Sequence, residues 1–294
     1  MKRFIVIGNC QRGSIINVLK SSDEFKSSFE EVGIPPVFLM KAPHFKKLES
    51  ELREVDLVVY QPILSSDFQT ASSGYVESVV SESNRIKVPN AFFQGYHPDL
   101  VEFKLSQVDT AFTPLMEKTG SHHSATLIQL FNAGKDVKQA ITVLSELNQT
   151  IRNKIKKVAA ESIQELKSRE VNYNLDVCIS SFIEQNFKQK KLFHIHNHPS
   201  NIVVKLIVQE IQKRFSLDEN SISMPANELH GFSQPPILPV VKEALELEFE
   251  CQNALFNESK YSFNEWIENC YELYSRCSNF NDHYANSFKH KSLI

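Results

Sequence analysis

The N-terminal third of the chain alternates short apolar runs with amphipathic segments. The strand candidates are FIVIG, PPVFLM, DLVVYQPI and RIKVPNAFFQG, and the helix candidates between them are SIINVLKSS and HFKKLESELREV. Continuously apolar strands that alternate with helices are typical of a parallel sheet covered on both faces. We therefore predict an α/β fold built on a three-layer, open and mostly parallel sheet.

The middle of the chain has a different pattern. From about residue 124 to 170, apolar residues recur at three- and four-residue spacing, which predicts helices. The 294 residues suffice for one large domain. We expect a single α/β domain over 1–294 with a helical insertion at about 124–170, which forms either a lid or a long crossover. Two amphipathic helices are expected to close the chain.

Charge and cysteine content exclude several classes of protein. The net charge of −3 provides no basic field for nucleic acid. No segment approaches the ~20 apolar residues of a membrane span, and the N-terminal apolar run is too short for a signal peptide. The five cysteines are odd in number and contain no CxxC motif, so neither disulfides nor zinc are indicated. We expect a cytoplasmic protein with free thiols and no nucleic-acid partner. The oligomeric state stays open.

Polar clusters follow three of the predicted strands, as GNCQ, YQPI and QGYHPD. Open parallel sheets bind ligands outside the carboxyl ends of their strands. These clusters, which include Gln61 and Tyr96, are therefore predicted to converge on one rim of the sheet.

The GNCQRGS stretch places a thiol where the first strand meets a helix. The positive end of the helix dipole would favour the thiolate of Cys10, and Asn9 with the backbone N–H groups near Gln11 would donate to an oxyanion. Alternatively, Cys10 is a small buried apolar residue.

The same GNCQRGS stretch has the glycine spacing of a P-loop but lacks its lysine. Arg12 would suit a phosphate at the helix N-terminus, or be a solvated side chain.

Two histidines are candidates for a general base. In GYHPD, Pro98 restricts His97 to extended geometry, and Asp99 would orient an imidazole or bind a hydroxyl; a simple turn is the alternative. In HIHNHPSN, three histidines at period two would share one face of a continuing strand. No carboxylate lies within that run, so we predict no metal. His198 lies just before a helix capped by Ser200, which makes it the better-placed base, unless it is a capping or surface histidine.

Taken in this order, GNCQ, YQPI, GYHPD and HNHPSN resemble the WcbI-like polysaccharide-biosynthesis proteins, a group of candidate acetyltransferases. PILPVVKEALELEF and the tyrosine-rich tail CYELYSRCSNFNDHY are similar as well. The resemblance spans nearly the whole chain and implies a Rossmann-like or SGNH-like α/β fold. The strand that ends in Cys10 is also similar to esterases with Gly-Asp-Ser in that place.

The resemblance implies a coenzyme-A-dependent acetyltransferase that modifies a sugar hydroxyl in capsule or surface polysaccharide biosynthesis, with acetyl-CoA as donor. Cys10 would accept the acetyl group, or His198 or His97 would deprotonate a sugar hydroxyl for direct attack on the thioester. The expected binding residues are Asn9, Gln11, Arg12, Gln61, Tyr96, Asp99, Ser200 and Asn201. The alternatives are an SGNH-like esterase or deacetylase and a non-catalytic glycan- or nucleotide-binding protein.

Overall fold

The computed structural model describes residues 1–102, 113–225, 228, 233–251, 253–276 and 291–294. The chain forms two compact units. The first contains Met1–Phe92, Glu165–Glu184 and His198–Leu229, and the second contains Phe93–Gln164, Gln185–Asn197 and His230–Ile294. The single-domain organisation with an inserted helical segment stays a prediction.

Four strands of the first unit form one sheet. They are β1 (Lys2–Ile7), β2 (Phe29–Glu31), β3 (Leu57–Tyr60) and β4 (Arg85–Lys87), in the order β2-β1-β3-β4. All three strand pairs are parallel. The predicted α/β fold with a parallel sheet is therefore confirmed.

The remaining strands are short. In chain order they are β5 (Leu100–Glu102), β6 (His122–Ser124), β7 (Phe193–Ile195), β8 (His198–Pro199), β9 (Ser233–Gln234), β10 (Ala254–Phe256) and β11 (Ser259–Tyr261). In the second unit, β5 pairs with β6, and β10 pairs with both β9 and β11, all antiparallel.

Twelve α-helices lie in the described part of the chain. They are α1 (Gln11–Leu19), α2 (Asp23–Ser28), α3 (Ala42–Glu51), α4 (Ser73–Val79), α5 (Thr113–Thr119), α6 (Ala125–Asn132), α7 (Val137–Ser145), α8 (Gln149–Asn172), α9 (Ser180–Asn186), α10 (Asn201–Arg214), α11 (Pro239–Leu245) and α12 (Phe263–Arg276). Helices α6 to α8 occupy the region with helical periodicity. None of these described helices combines the length and apolar character needed to cross a bilayer.

Both faces of the parallel sheet are covered by helices. On one face, Ile5 and Val58 belong to a cluster that includes Leu48 of α3 and Val76 of α4. On the other face, the Phe4 ring contacts Phe25 of α2 edge to face, with 5.0 Å between ring centroids. Because successive side chains of a strand point to opposite faces, the apolar run of β1 is buried by both layers.

One predicted strand is wrong. The segment PPVFLM contains a 3-10 helix at Val37–Leu39, and the second strand is Phe29–Glu31 instead. Pro35 and Pro36 lack the N–H groups that a sheet requires, and the N–H of Val37 donates to the carbonyl of Gly8 at 3.0 Å. This segment therefore folds over the end of β1 rather than pairing beside it.

The second unit is mainly helical and has an aromatic core. Trp266 and Tyr274 of α12 are almost fully buried, and the Tyr274 ring lies 5.4 Å from that of Phe131 on α6. Buried aromatic pairs in this geometry add to the stabilisation from burial itself. The expected pair of closing helices corresponds to α11 and α12, with β10 and β11 between them.

Candidate functional site

The strand order of the first unit creates a crevice between β1 and β3. From β1 the chain leads to β2 on one side, and from β3 it leads to β4 on the other. Open α/β sheets bind ligands where the strand order reverses in this way, outside the carboxyl ends of the strands. The segments that leave these two strands begin at Gly8 and Gln61, so the GNCQ and YQPI clusters lie together at this reversal.

Four carboxamides form a network at this rim, and Gln61 is its centre. Its Oε1 accepts from the Asn9 N–H at 2.9 Å, and its Nε2 donates to Gln11 Oε1 at 3.1 Å and to the Pro89 carbonyl at 3.2 Å. Asn9 Nδ2 donates to Asn90 Oδ1 at 2.9 Å. These bonds tie together the segments that follow β1, β3 and β4.

Gln11 completes the network from the start of α1. Its Nε2 donates to the carbonyl of Ala91 at 2.8 Å, and its Oε1 accepts from the Ala91 N–H at 3.0 Å. The side chain is 2% exposed. Its contacts give Gln11 a role in positioning the rim, and direct ligand binding by Gln11 stays a prediction.

Gly8 is required by the close approach of Gln61. A Cβ at position 8 would overlap the amide group of Gln61. The glycine that ends β1 therefore makes room for the central member of the network.

Cys10 is the residue before α1, and its side chain is partly exposed. Burial raises the thiol pKa of Cys10, and the nearby backbone N–H groups of Cys10 and Gln11 lower it by less. The net pKa of Cys10 is therefore above its ordinary value. The Gln11 N–H itself donates to Asn9 Oδ1 at 2.9 Å. The backbone N–H groups at the helix N-terminus favour the thiolate, as expected, but desolvation of the thiol outweighs them.

A cleft of about 250 Å³ opens beside this network. Its polar lining includes Asn9, Gln61 and Asn90, and its apolar lining includes Leu64 and Phe68. Asn9 and Asn90 are partly exposed, so the amide network presents polar groups to the cleft. We call this space the rim cleft.

Arg12 is held by the protein itself. Its Nε donates to the carbonyl of Val6 at 3.0 Å, and its guanidinium lies 3.4 Å from the carboxylate of Glu31 on β2. The residue is 9% exposed. These contacts give Arg12 a structural role in joining α1 to the sheet, and phosphate binding by Arg12 stays a prediction.

The first unit also contains His198, Ser200 and Asn201 at the start of α10. Ser200 has the predicted N-cap position but makes no capping hydrogen bond, and its buried Oγ has no partner among the described residues. Asn201 donates from its N–H to Glu228 Oε1 at 3.2 Å and from Nδ2 to the carbonyl of Pro225 at 3.3 Å. His198 is partly exposed. Helix α10 packs against α1, which begins next to Cys10.

The second unit contains His97 and Tyr96. The Nε2 of His97 donates to the carbonyl of His194 at 3.1 Å, which requires the tautomer protonated on Nε2. Burial lowers the His97 pKa to about 3, so the imidazole is neutral at pH 7. The Tyr96 hydroxyl contacts the carbonyls of Phe187 and Lys190 at 2.6 and 2.8 Å, and burial raises its pKa.

Asp99, also in the second unit, binds neighbouring protein groups. Its Oδ2 accepts from the hydroxyls of Ser124 and Thr126 and from the Thr126 N–H. Burial raises the pKa of this carboxyl group above its ordinary value. Asp99 thus secures the start of α6, and neither imidazole orientation nor substrate binding is evident from these contacts. The convergence of this cluster with the rim of the first unit stays a prediction.

The histidine run does not form one continuous strand. Strand β7 ends at Ile195, so it includes His194 but neither His196 nor His198. His194 is 6% exposed, as expected for a packed strand residue. No group of three potential ligands among histidine, cysteine and carboxylate side chains is close enough to hold a metal within the described residues.

Asn90 is a site residue that the sequence analysis missed. It lines the rim cleft and binds Asn9, and it lies in the segment that leaves β4, after Val88 and Pro89. The available signal was the polar residue after VP within the predicted strand RIKVPNAFFQG.

Comparisons with known proteins agree with this architecture. The family model described as polysaccharide biosynthesis enzyme WcbI matches residues 3–220. A solved structure is similar over 99% of this chain and 96% of its own, with a TM-score of 0.79 and 20% identity. It is described as WcbI, a novel polysaccharide biosynthesis enzyme, in a native form without a disulfide bond between coenzyme A and a cysteine of that protein. No curated protein matches the chain. The chain belongs to the WcbI family of polysaccharide biosynthesis enzymes.

Proposed function

We propose that this protein is a coenzyme-A-dependent acetyltransferase that modifies a sugar hydroxyl during the synthesis of capsule or another surface polysaccharide. The observation that carries the proposal is the position of Cys10, a partly exposed thiol at the strand-order reversal, beside the amide network. The family supports a role in polysaccharide biosynthesis. The similar solved structure supports coenzyme A, because its description names that cofactor and states that no disulfide bond joins it to a cysteine in that native form.

The residues at the rim fit a thioester cofactor. The cleft combines an apolar wall, formed by residues such as Leu64 and Phe68, with carboxamide groups from Asn9 and Asn90. An extended pantetheine arm has the same mixture of apolar and amide character. Coenzyme A would supply an activated acyl group there. Asn9 and Asn90, which are partly exposed, would hold its amide groups, while Gln61 fixes the position of Asn9.

We favour direct transfer over a covalent intermediate on Cys10. The pKa of the thiol is above its ordinary value, so little thiolate is present at neutral pH. In direct transfer, Cys10 lines the site and the sugar hydroxyl is the nucleophile. A general base would then take the proton of that hydroxyl as the new ester C–O bond forms, and would pass the proton to the thiolate released when the thioester C–S bond breaks.

We place this base at His198 rather than at His97. A base works best when its pKa is near the operating pH, and burial lowers the pKa of His97 to about 3. The Nε2–H of His97 also donates a hydrogen bond to the carbonyl of His194. His198 is partly exposed and belongs to the same unit as Cys10. Ser200, whose buried hydroxyl has no partner among the described residues, would contribute a further polar contact near this base.

The experiment is to incubate the protein with acetyl-CoA and a panel of neutral and acidic sugars, and to detect acetylated sugar by mass spectrometry. We expect an acetylated product that forms only with protein, donor and acceptor together. Rapid hydrolysis of aryl acetates, without any response to coenzyme A and without sugar acetylation, would instead identify an esterase. The control for a contribution from a cysteine outside the rim is Cys178→Ser, which removes an exposed free thiol there.

A further inference from the structure

A second cleft lies next to the rim cleft in the first unit. It has a volume of about 170 Å³ and shares Pro62, Leu64 and Asn90 with the rim cleft. Its own polar lining is supplied by Arg169 and Tyr173, near the end of α8. Neither residue belongs to the amide network or to the proposed coenzyme A site.

Arg169 is anchored in a way that leaves its terminal amino groups available. Its Nε donates to Glu165 Oε1 at 2.7 Å, and its guanidinium carbon lies 5.6 Å from the centre of the Phe92 ring. The two Nη groups have no partner within the part of the chain that the structure describes. Arginine is always charged and its planar fork matches carboxylate and phosphate groups. Glu165 binds only Nε of Arg169, so the two Nη groups remain available to bind an anion.

Tyr173 and Asn90 add uncharged polar groups to the same cleft. The hydroxyl of Tyr173 has no partner among the described residues, while its backbone carbonyl accepts from Lys87 Nζ at 3.0 Å. Asn90 uses Oδ1 to accept from Asn9, and its Nδ2 has no partner in the described ranges. A hydroxyl, an amide and a guanidinium thus surround a cavity whose remaining wall is proline and leucine.

This lining matches a sugar that carries an anionic group. Sugar rings present C–H faces that pack on apolar and aromatic side chains, and hydroxyls that exchange hydrogen bonds with amide and phenol groups. The cleft is smaller than the ~300–1,000 Å³ pockets of drug-sized ligands, which favours one monosaccharide unit over a whole nucleotide. The guanidinium adds selectivity for a negative charge.

We propose that this second cleft binds the sugar acceptor, and that the acceptor carries a carboxylate or phosphate group recognised by Arg169. The inference rests on the proposed function, because it assigns the acceptor of that reaction. Asn90 lines both clefts, so the two clefts meet at this residue. A sugar bound by Arg169 and Tyr173 would therefore direct a hydroxyl past Asn90 toward the rim cleft.

The test measures sugar binding to the full-length protein without coenzyme A, by ligand-observed NMR. The probes are glucose, glucuronic acid and glucose 1-phosphate, so that the two anionic sugars distinguish carboxylate from phosphate. We expect at least one anionic sugar to bind about tenfold more tightly than glucose, and Arg169→Gln to remove that preference. Tyr173→Phe should weaken binding of all the sugars that bind, because it removes one hydroxyl.

The matched control is Arg152→Gln on the same helix, where the arginine contacts Glu243 at 3.1 Å. This variant should bind the sugars as the wild type does. Equal affinity for glucose and both anionic sugars would overturn the inference, as would equal losses in the two arginine variants. If Arg169→Gln fails to fold, two measurements still test the inference. They are the preference of the wild type for anionic sugars over glucose and the loss of sugar affinity in Tyr173→Phe.

A separate titration with coenzyme A distinguishes this inference from the proposed function. We expect Arg169→Gln to bind coenzyme A as the wild type does. Sugar binding without coenzyme A binding would refute the proposed function and leave the anionic-sugar site standing. Coenzyme A binding without a preference for anionic sugars would refute only the acceptor assignment.

Discussion

Gln61 donates from Nε2 to Oε1 of Gln11 at 3.1 Å, and this bond joins the segments that follow β3 and β1. Both side chains are almost completely buried. Their amides also bind backbone groups of Asn9, Pro89 and Ala91. The rim that presents Cys10 therefore has a fixed shape before any ligand arrives, and such preorganisation reduces the cost of binding.

Replacement of Gln11 by leucine should destabilise the protein. The change leaves three groups without the partner that Gln11 supplies, namely the Ala91 N–H, the Ala91 carbonyl and one Nε2–H of Gln61. Each buried unsatisfied group costs about 1–3 kcal/mol. Urea unfolding measures the loss of free energy of unfolding. The control is Gln149→Leu, an exposed position on α8, which should change that free energy little. Equal stability of the two variants would contradict the structural role of the network.

Replacement of Gly8 by alanine should also destabilise the rim. The new Cβ overlaps the Gln61 amide, and such overpacking typically costs about 1–3 kcal/mol. The control is Gly74→Ala on α4, where a Cβ meets no atom within 4 Å. Because alanine favours helix, that variant should be equal to or more stable than the wild type. A thermal melt of Gly8→Ala that matches the wild type would rule out the close approach of Gln61.

Acid should destabilise the second unit through its buried histidines. Burial lowers the pKa of His97 to about 3 and those of His123 and His196 to about 4. In the unfolded chain an imidazole titrates near 6.5. The unfolded state therefore binds more protons in this window, so the free energy of unfolding falls as the pH drops from about 6.5 toward 4.

Urea unfolding at about pH 7 and about pH 5 tests this expectation. Each buried histidine contributes up to about 1.4 kcal/mol per pH unit within the window. His123→Gln should reduce the pH dependence, because His123 is fully buried between Tyr274 and the Gly120 carbonyl. An identical pH dependence in His123→Gln and in the wild type would show that this imidazole does not titrate as described.

Turnover of two variants should separate the roles of Cys10 and His198. In direct transfer, Cys10→Ala keeps its activity within roughly tenfold, about 1.4 kcal/mol of barrier. His198→Ala should lose on the order of 10²–10⁴ in kcat, because it removes the base. His97→Ala should have little effect on the pH–rate profile if His97 is not the base. An acetyl group on Cys10, formed at the rate of turnover and seen by intact-protein mass spectrometry, would contradict direct transfer.

The sheet could be predicted from sequence because β1 and β3 are buried on both faces, which leaves a continuous apolar run as a local signal. The position of GNCQ and YQPI at strand ends followed from the same pattern. The segment PPVFLM misled because only its Val37 is buried, whereas Phe38 and Leu39 are exposed, and an apolar run in the sequence does not reveal this difference.

The chemistry of the rim was less accessible to sequence reasoning. Gln11 and Arg12 look like ligand-binding residues by position, yet their side chains bind Ala91 and Glu31, partners that are set by the tertiary fold. The pKa of Cys10 depends on the balance of burial and backbone N–H groups, which no local pattern reveals. Arg169 lies near the end of α8 and Tyr173 directly after that helix, far along the chain from GNCQ, so no motif near GNCQ indicated them.

The most direct measurement of the central claim is a calorimetric titration of the protein with coenzyme A and with acetyl-CoA. We expect one binding site per chain for both compounds. Binding should be lost in Cys10→Trp, which puts a bulky indole next to Asn9 and Gln11 in the chain, and kept in Cys178→Trp, which alters an exposed thiol elsewhere. No heat beyond dilution for either compound, or equal binding by the two tryptophan variants, would contradict a coenzyme A site at this rim.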